Sequence, residues 1–349
     1  MDLVSTNIFI IRISLYVGIF FLLSSTILFT MIFLNRLRII RKHKKEEEFT
    51  NKWRPILLEN LYKVPDSLEP VPAKYNIAFL ILWNNLQDVL RGKEKEHLNQ
   101  LARSLKMDQV AFKMMNSRKM VNQILGILVL GNLKESSSFD KLKEIAEKSN
   151  LTLSMTALHS MAKINPEKTI NPLLSFIKER GEWPSYKIVI ILDEIGSSIF
   201  SQPLADLIKR TKSKEQPALI KLMKFADSEI AKNLAEDLLD SAFDPEVISA
   251  SLGLLEYFGD SRNIKIIERH LNSDLSFIRM KAVKALSALG SLEILPILEK
   301  SLIDSDWWVR YRTAQSIINL PMVTREDILK IRDRQNDKFA IDILNYVLF

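Results

Sequence analysis

The sequence contains no cysteine, and glycine is scarce, with 9 among 349 residues. Without cysteine the chain can form no disulfide, thiol nucleophile or thiolate metal site. The few glycines argue against a turn-rich β protein and against glycine-rich phosphate loops, and they favour long helices. The hydrophobic content of 47% is enough for a continuous core. We therefore predict an all-α protein, whose length suits two ordinary domains or one extended solenoid.

Histidine is also rare, and its residues are His43, His97, His159 and His270. None lies three or four residues from another histidine, and none is followed directly by glutamate. Dyads of the kind that hold metal ions in helical enzymes are therefore missing from the sequence. We predict no catalytic residue, no cofactor, no metal ligand and no enzymatic activity. An enzyme of unknown type is the least favoured alternative.

Positive charge is not concentrated in the folded part of the chain. The net charge is +7, and residues 1–49 carry seven positive and four negative groups, or +3, which leaves +4 for the other 300 residues. A nucleic-acid-binding domain usually concentrates more positive charge on one surface. We therefore expect no nucleic acid among the partners, and a nucleic-acid-binding solenoid is kept as the alternative function.

One long hydrophobic run, Ile13–Leu34, has 22 residues without a charge. At about 1.5 Å per residue such a helix spans roughly 33 Å, enough to cross the hydrocarbon core of a bilayer. The basic flank Arg36–Lys45 follows at once, whereas residues 1–12 hold only Asp2 and Arg12. The positive-inside rule places the flank in the cytoplasm and residues 1–12 outside. Because a cleaved signal peptide carries its positive charges before the apolar run, we predict a single-pass anchor.

The basic flank allows two interpretations. Its six lysine and arginine side chains lie within ten residues and could rest on anionic lipid headgroups, each cation contributing about 1 kcal/mol. A plain stop-transfer flank explains the same residues and is the simpler interpretation.

Four prolines separate the hydrophobic run from the rest of the chain: Pro55, Pro65, Pro70 and Pro72. We predict that residues 35–74 form a basic juxtamembrane segment and a semi-rigid spacer, with a short helix beginning near Pro55. Residues 75–116 are predicted to form an N-terminal helical cap. Its first helix, Asn76–Arg91, is strongly apolar but short for a second span.

The last third of the chain contains one helical unit written twice. Aligning Arg279 with Arg310 places small residues three and six positions after each arginine, and an apolar residue seven positions after it. The frame recurs at intervals of 30 to 34 residues at earlier positions: Met120, Ser154, Ser185, Glu215 and Ile248. Such a period indicates stacked helix pairs. We predict a right-handed α-solenoid of about seven helix pairs over residues 117–349, with a C-terminal cap.

The segments DLSFIRMKAVKALSALGS and DSDWWVRYRTAQSII resemble the short HEAT repeat of bacterial proteins, the type found in phycobilisome lyases. The resemblance implies HEAT-like helix pairs joined by a ladder of aspartate and arginine between neighbouring repeats. By this likeness four residues are structural: Asp274, Arg279, Asp306 and Arg310.

The whole chain is also similar to a group of bacterial membrane-anchored HEAT-repeat proteins. The likeness is carried by the single span, the basic flank, Trp53-Arg54-Pro55, the helix Leu82–Gly92 and the turn at Trp183-Pro184. It implies a place in the bacterial cytoplasmic (inner) membrane and an association with envelope glycan systems that contain a processive glycosyltransferase. The fold alone does not give a function.

The Trp307-Trp308 pair is the candidate binding site. It lies beside Arg310 and Arg312 at the start of a predicted helix. Aromatic residues at a surface often anchor partners, and packing between repeats is the alternative role. We expect one ring to pack between repeats and the other to be exposed, and we name Trp307, Trp308 and Arg312 as partner-binding residues. The predicted function is a membrane-anchored cytoplasmic scaffold or regulator that binds a membrane-associated protein.

Overall fold

The computed structural model describes residues 3–62, 68–180, 183–211, 214–321 and 323–348, with side chains from Leu15 onward. The chain divides into two compact units, Met1–Leu133 and Lys134–Phe349. All regular structure in the described ranges is helical, which confirms the predicted all-α fold.

The described helices of the first unit are α1 (Leu3–Glu59), α2 (Asn76–Gln87), α3 (Gly92–Ser104), α4 (Met107–Met115) and α5 (Met120–Asn132). Those of the second unit are α6 (Phe139–Lys148), α7 (Leu151–Ile164), α8 (Pro166–Glu179), α9 (Ser185–Ile195), α10 (Ser197–Arg210), α11 (Gln216–Leu222), α12 (Ser228–Ser241), α13 (Pro245–Phe258), α14 (Ile264–Arg269), α15 (Ser276–Ala288), α16 (Leu295–Ser301), α17 (Trp307–Ile318), α18 (Arg325–Asp333) and α19 (Lys338–Leu348). Short 3₁₀ segments lie at Ala73–Tyr75, Ser136–Ser138, Met223–Phe225, Ser261–Asn263, His270–Asn272 and Leu292–Ile294.

Helix α1 is a single helix of 57 residues that contains the whole of the predicted span Ile13–Leu34. Its apolar part has a mean hydropathy of 2.4, and none of that window is buried against the rest of the protein. By length and composition α1 is therefore a candidate for crossing a membrane. It continues without a break through the basic flank Arg36–Lys45.

The last turns of α1 are buried in the first unit. Phe49, Trp53 and Leu57 recur every four residues, and their exposed fractions are 8%, 3% and 0%. This spacing places them on one face of the helix, which packs against α2. The ring of Trp53 meets Phe79 edge-on with centroids 5.3 Å apart, and the ring of Phe49 stacks on Tyr75 at 4.5 Å. The far end of α1 is thus part of a folded core.

This arrangement corrects the prediction of a separate short helix beginning near Pro55. Pro55 lies inside α1, close to its end, with its ring exposed. Proline removes one backbone donor from a helix, but the buried side chains of Trp53 and Leu57 on either side hold the helix in place. The predicted spacer falls partly on residues 63–67, which lie outside the described residues. Beyond it, Glu69 pairs with Lys52 of α1 at 3.1 Å.

Amide side chains join α2, α3 and α5 within the first unit. Gln87 donates to Asn99 at 2.7 Å, Asn99 donates to the carbonyl of Asn132 at 3.1 Å, and Asn132 donates to Asn84 at 2.7 Å. Trp83 is fully buried and donates its indole N–H to the carbonyl of Leu98 at 3.0 Å. Pairing of this kind offsets the cost of burying these polar side chains.

The second unit is built from two layers of helices. The first helices of the pairs have odd numbers: α7 packs on α9, and α11, α13, α15 and α17 pack side by side. The second helices have even numbers and pack in order from α6 to α14. The small residues that define the repeat lie where helices meet: Ala282, Ala285 and Thr313 have exposed fractions of 0%, and Ser316 has 4%. The predicted helix pairs are confirmed. Helix α19 packs on α17 and α18 at the C-terminal end.

Candidate functional site

The loop at residues 303–306 and the first turn of α17 set the position of both predicted tryptophans. Asp306 caps α17, and its side chain accepts hydrogen bonds from the backbone N–H of Trp308 at 2.8 Å and of Val309 at 3.3 Å. Val309 points into the core, with an exposed fraction of 1%. Because neighbouring residues of a helix project about 100° apart, burying Val309 directs the two residues before it away from the core.

Four aromatic side chains form a cluster on α17 and α19, which we call the aromatic cluster: Trp307, Trp308, Tyr311 and Tyr346. Trp307 stacks on Tyr311 with centroids 5.1 Å apart and meets Trp308 edge-on at 4.8 Å. Tyr346 lies 6.0 Å from Tyr311. These distances are those of favourable aromatic pairs.

The aromatic cluster is open to solvent. The exposed fractions are 44% for Trp307, 63% for Trp308 and 68% for Tyr346. One of the two tryptophan rings was expected to pack between repeats, and that expectation is corrected, since both are exposed and they pack on one another. Exposed tryptophan and tyrosine in contact form the type of surface that anchors a partner.

Arg312 supports the aromatic cluster from the side. Its guanidinium donates to the side-chain oxygen of Gln315 at 3.3 Å, and Gln315 donates to the hydroxyl of Tyr311 at 2.7 Å. Arg312 is half-buried. The structure therefore places it in the framework that orients Tyr311.

The four residues predicted to form the repeat ladder do not all pair with one another. Arg279 forms a bidentate ion pair with Asp304, with both contacts at 2.7 Å. Asp304 takes the role that the sequence interpretation gave to Asp274 and Asp306. Asp274 offers Arg279 its backbone carbonyl at 3.2 Å, and Asp306 serves as the helix cap. For Asp306 the reason is geometric, since its capping carboxylate is already committed to backbone N–H groups.

Arg279 and Arg310 make one contact that is the same in both repeats. Each donates a hydrogen bond of 2.8 Å to the carbonyl six residues before it, Ser273 for Arg279 and Asp304 for Arg310. Arg310 also lies over the ring of Phe339, 5.1 Å from its centroid. The two arginines thus fix the loop that precedes their own helix, and Arg310 additionally fixes α19.

Burial and hydrogen bonding act in opposite directions on Asp304. Burial raises the pKa of its carboxyl, while hydrogen bonds from Arg279 and from the backbone N–H of Asp306 lower it, and the net pKa lies below the ordinary value. The same pair raises the pKa of Arg279 above its ordinary value. Both groups are therefore charged at neutral pH, and the ion pair is complete.

Some cations on the second helices pair with acids of a neighbouring second helix. Lys209 of α10 contacts Asp237 of α12 at 2.6 Å, and Arg269 of α14 contacts Asp240 of α12 at 2.8 Å. The buried Lys232 contacts Asp260 at 3.0 Å. The groove of about 320 Å³ between α12 and α14 is lined by both signs of charge. This surface does not form a track of positive charge for a phosphate backbone. In the described ranges, no group of three or more acidic or histidine side chains is arranged to hold a metal ion.

Residues 233–318 match the family described as HEAT repeats. The matched segment contains Arg279, Asp304 and both tryptophans, so the ion pair and most of the aromatic cluster lie within it. Tyr346 and Phe339 lie after the matched segment and complete the surface from α19.

Solved structures and curated proteins add no further information about the family. Among solved structures, an engineered protein from a structural genomics consortium is 15% identical; the match covers 84% of this chain and 88% of that chain with a TM-score of 0.33. A likeness at this level carries no inference about this chain. No curated protein matches the sequence.

Proposed function

We propose that this chain is a membrane-anchored scaffold that binds another protein through the aromatic cluster at its HEAT-repeat end. The observation that carries the proposal is the exposure of Trp307 and Trp308, which contact one another, and of Tyr346, which joins them through Tyr311. HEAT repeats offer extended surfaces for protein partners. A cluster already packed together loses little side-chain freedom on binding, which favours affinity.

A protein partner fits the surroundings of the aromatic cluster better than a nucleic acid. Arg310 and Arg312, the cations beside it, donate hydrogen bonds to Asp304 and Gln315 of the same chain. Phosphate groups would have to compete with these contacts. Apolar and aromatic side chains of a partner would instead cover rings that now contact water.

The binding test uses one member of the aromatic cluster and an exposed aromatic elsewhere. Trp308 is 63% exposed and Phe243 is 97% exposed, so neither Trp308→Ala nor Phe243→Ala should disturb the fold. Tagged full-length chains are purified from mild detergent extracts after crosslinking. We expect the same partner with the wild type and Phe243→Ala, and about tenfold less with Trp308→Ala. Equal recovery from all three chains would reject the aromatic cluster as the site.

We further propose that Ile13–Leu34 crosses the bacterial inner membrane once, with residues 1–12 outside and the helical units in the cytoplasm. The supports are the exposed apolar surface of α1 and the positive charge of Arg36–Lys45. A fluorescent reporter and a periplasmic phosphatase, each fused after Phe349, test the orientation. We expect fluorescence and no phosphatase activity. Phosphatase activity would show that the C-terminal end lies outside the cytoplasm and would reject the proposed orientation.

For the identity of the partner, we propose a membrane protein of an envelope glycan system, such as a processive glycosyltransferase. The support is the likeness of the whole chain to bacterial membrane-anchored HEAT proteins, including Trp53-Arg54-Pro55. Mass spectrometry of the crosslinked partner tests this choice. A partner of another class would reject the glycan assignment and leave the scaffold role intact.

A further inference from the structure

We propose that the basic flank of α1 is a binding site for anionic phospholipid headgroups, which we call the basic collar. Its residues are Arg36, Arg38, Arg41, Lys42, Lys44 and Lys45. The inference rests on the proposed insertion of Ile13–Leu34 into a bilayer, and it is independent of the partner bound by the aromatic cluster. The sequence alone left a plain stop-transfer flank as the simpler interpretation, and three features of the structure favour lipid binding.

The first feature is that the basic collar has a fixed, helical geometry. Helix α1 runs unbroken from Leu3 to Glu59, and its end is locked into the first unit by Phe49 and Trp53. The segment between membrane and folded core therefore cannot coil away from the bilayer. At about 1.5 Å per residue, Arg36 lies about 3 Å and Lys45 about 16 Å beyond Leu34 along the helix axis.

These heights match the dimensions of a membrane surface. The headgroup layer adds about 5–7 Å to each side of the hydrocarbon core. Arg36 and Arg38 then lie within the headgroups. The cations up to Lys45 lie within about one Debye length of the layer, which is about 8–10 Å at physiological salt.

The second feature is that the cations are spread over most of the circumference of the helix. With about 100° between successive residues, the six side chains cover about 240° of the circumference. A peptide or protein that docks on one face would reach only some of them. A layer of headgroups around a crossing helix reaches all of them. Ile39 and Ile40, which are 47% and 53% exposed, lie between the cations and suit the boundary between headgroups and acyl chains.

The third feature is that most of these charges are not used within the protein. All six side chains are exposed. In the part of the chain that the structure describes, only Lys42 of the basic collar forms an ion pair, with Glu46 at 3.5 Å. Anionic headgroups supply the missing counter-charges.

The acids that follow the basic collar limit how deeply it can sink. Glu46, Glu47 and Glu48 come next along the same helix. They would be repelled by an anionic surface, whereas the cations before them are attracted. The change of sign therefore favours one depth of insertion, with the cations at the headgroups and the glutamates in water.

The experiment measures lipid selectivity of the full chain reconstituted in bilayers of phosphatidylcholine mixed with the anionic lipid phosphatidylglycerol. Spin-labelled phosphatidylglycerol and phosphatidylcholine report their relative association with the protein. The variant is Arg36→Gln/Arg38→Gln/Arg41→Gln. The control, Lys221→Gln/Lys300→Gln/Lys338→Gln, removes the same charge from exposed positions of the second unit.

We expect the wild type and the control to prefer phosphatidylglycerol, and the variant to lose most of that preference. Each neutralised cation should lower the relative association of phosphatidylglycerol by up to about fivefold at low salt. Equal selectivity of all three chains would overturn the proposal. A free anion as the ligand is tested by adding inorganic phosphate at the ionic strength of a chloride control. Stronger competition by phosphate than by chloride would also overturn it.

Insertion is measured separately, by flotation of the vesicles after a wash at high pH. A wild-type chain that does not float would reject the membrane anchor itself. A chain that floats without selecting phosphatidylglycerol would reject only the lipid site.

Discussion

Arg279 and Asp304 join two neighbouring repeats through a pair of hydrogen bonds of equal length. The Nε and Nη2 atoms of the arginine each lie 2.7 Å from one carboxylate oxygen. Arg279 belongs to α15 and Asp304 to the loop before α17. Their side chains are only 12% and 10% exposed. Water therefore screens this pair far less than it screens the other ion pairs between helices, such as Lys209 with Asp237 at 46% and 58% exposure.

Replacing Asp304 by asparagine should lower the stability of the second unit. The change leaves the guanidinium of Arg279 buried without its counter-charge, and we expect a loss of about 3 kcal/mol in the free energy of unfolding. Chemical denaturation of the full chain in detergent, followed by circular dichroism, measures this loss. Lys209→Gln is the matched control. Its exposed ion pair should change the free energy by less than about 1 kcal/mol.

The contribution of Asp304 should depend on pH. Its pKa in the folded chain is lowered below the ordinary value of 3.8. A lowered pKa means that the stabilisation is complete above the ordinary value and is lost as the pH falls through the folded value. Wild type should therefore melt higher than Asp304→Asn at pH 7, and the two melting temperatures should converge once the pH falls below the lowered pKa of Asp304. A constant difference down to that pH would contradict the ionic origin of the effect.

Gly126 should tolerate no side chain. A Cβ atom there would lie 2.5 Å from the backbone N of Met115 and 2.6 Å from the carbonyl O of Ala111, so α4 and α5 would have to move apart. We expect Gly126→Ala to cost about 3 kcal/mol in the free energy of unfolding. Gly253→Ala is the control, because nothing lies within 4 Å of its Cβ. Inside helix α13 this alanine should be neutral or stabilise by about 0.5–1 kcal/mol.

Trp53 should hold the end of α1 in the first unit. Its replacement by alanine leaves a cavity against Phe79, which should raise the population of chains in which this part of α1 is open. Trypsin should then cut after Lys52 at least about tenfold faster than in the wild type. Tyr62→Ala, at a side chain that is 78% exposed, should leave the cleavage rate unchanged. Equal rates for both variants would show that Trp53 does not fix the helix.

The repeat was predictable from sequence because close helix packing leaves a regular signature. Ala282 and Thr313 stand at equivalent positions of the frame, and both are fully buried. The exposed apolar surface of α1 was predictable for a similar reason, since a long uncharged run has no place in a water-exposed loop.

The ion-pair partner of Arg279 was not predictable from the repeat alone. Asp304 stands six residues before Arg310, where the preceding repeat has Ser273 before Arg279. The alignment therefore gave no equivalent acid to suggest the role. The carbonyls of both residues accept the same hydrogen bond, and only Asp304 adds a carboxylate. A side chain that occurs in one repeat only leaves no periodic signal.

The path of α1 and the composition of the aromatic cluster were missed because both depend on tertiary contacts. Pro55 is typical of a helix start, yet the burial of Trp53 and Leu57 continues the helix through it. Tyr346 joins the cluster through the packing of α19 on α17, 35 residues after Tyr311. Its position beside Tyr311 cannot be read from local sequence.

Because α1 is unbroken, the number of residues between Leu34 and Phe49 fixes both the distance and the rotation between these two residues. One residue inserted there would turn the first unit by about 100° around the helix axis and lift it by about 1.5 Å, whereas seven residues, about two turns, would nearly restore its original facing. With a flexible tether in place of the helix, neither insertion would change the orientation of the first unit. With Ile13–Leu34 inserted in a bilayer as proposed, the number of residues along α1 thus sets which face the rest of the first unit presents to neighbouring membrane proteins.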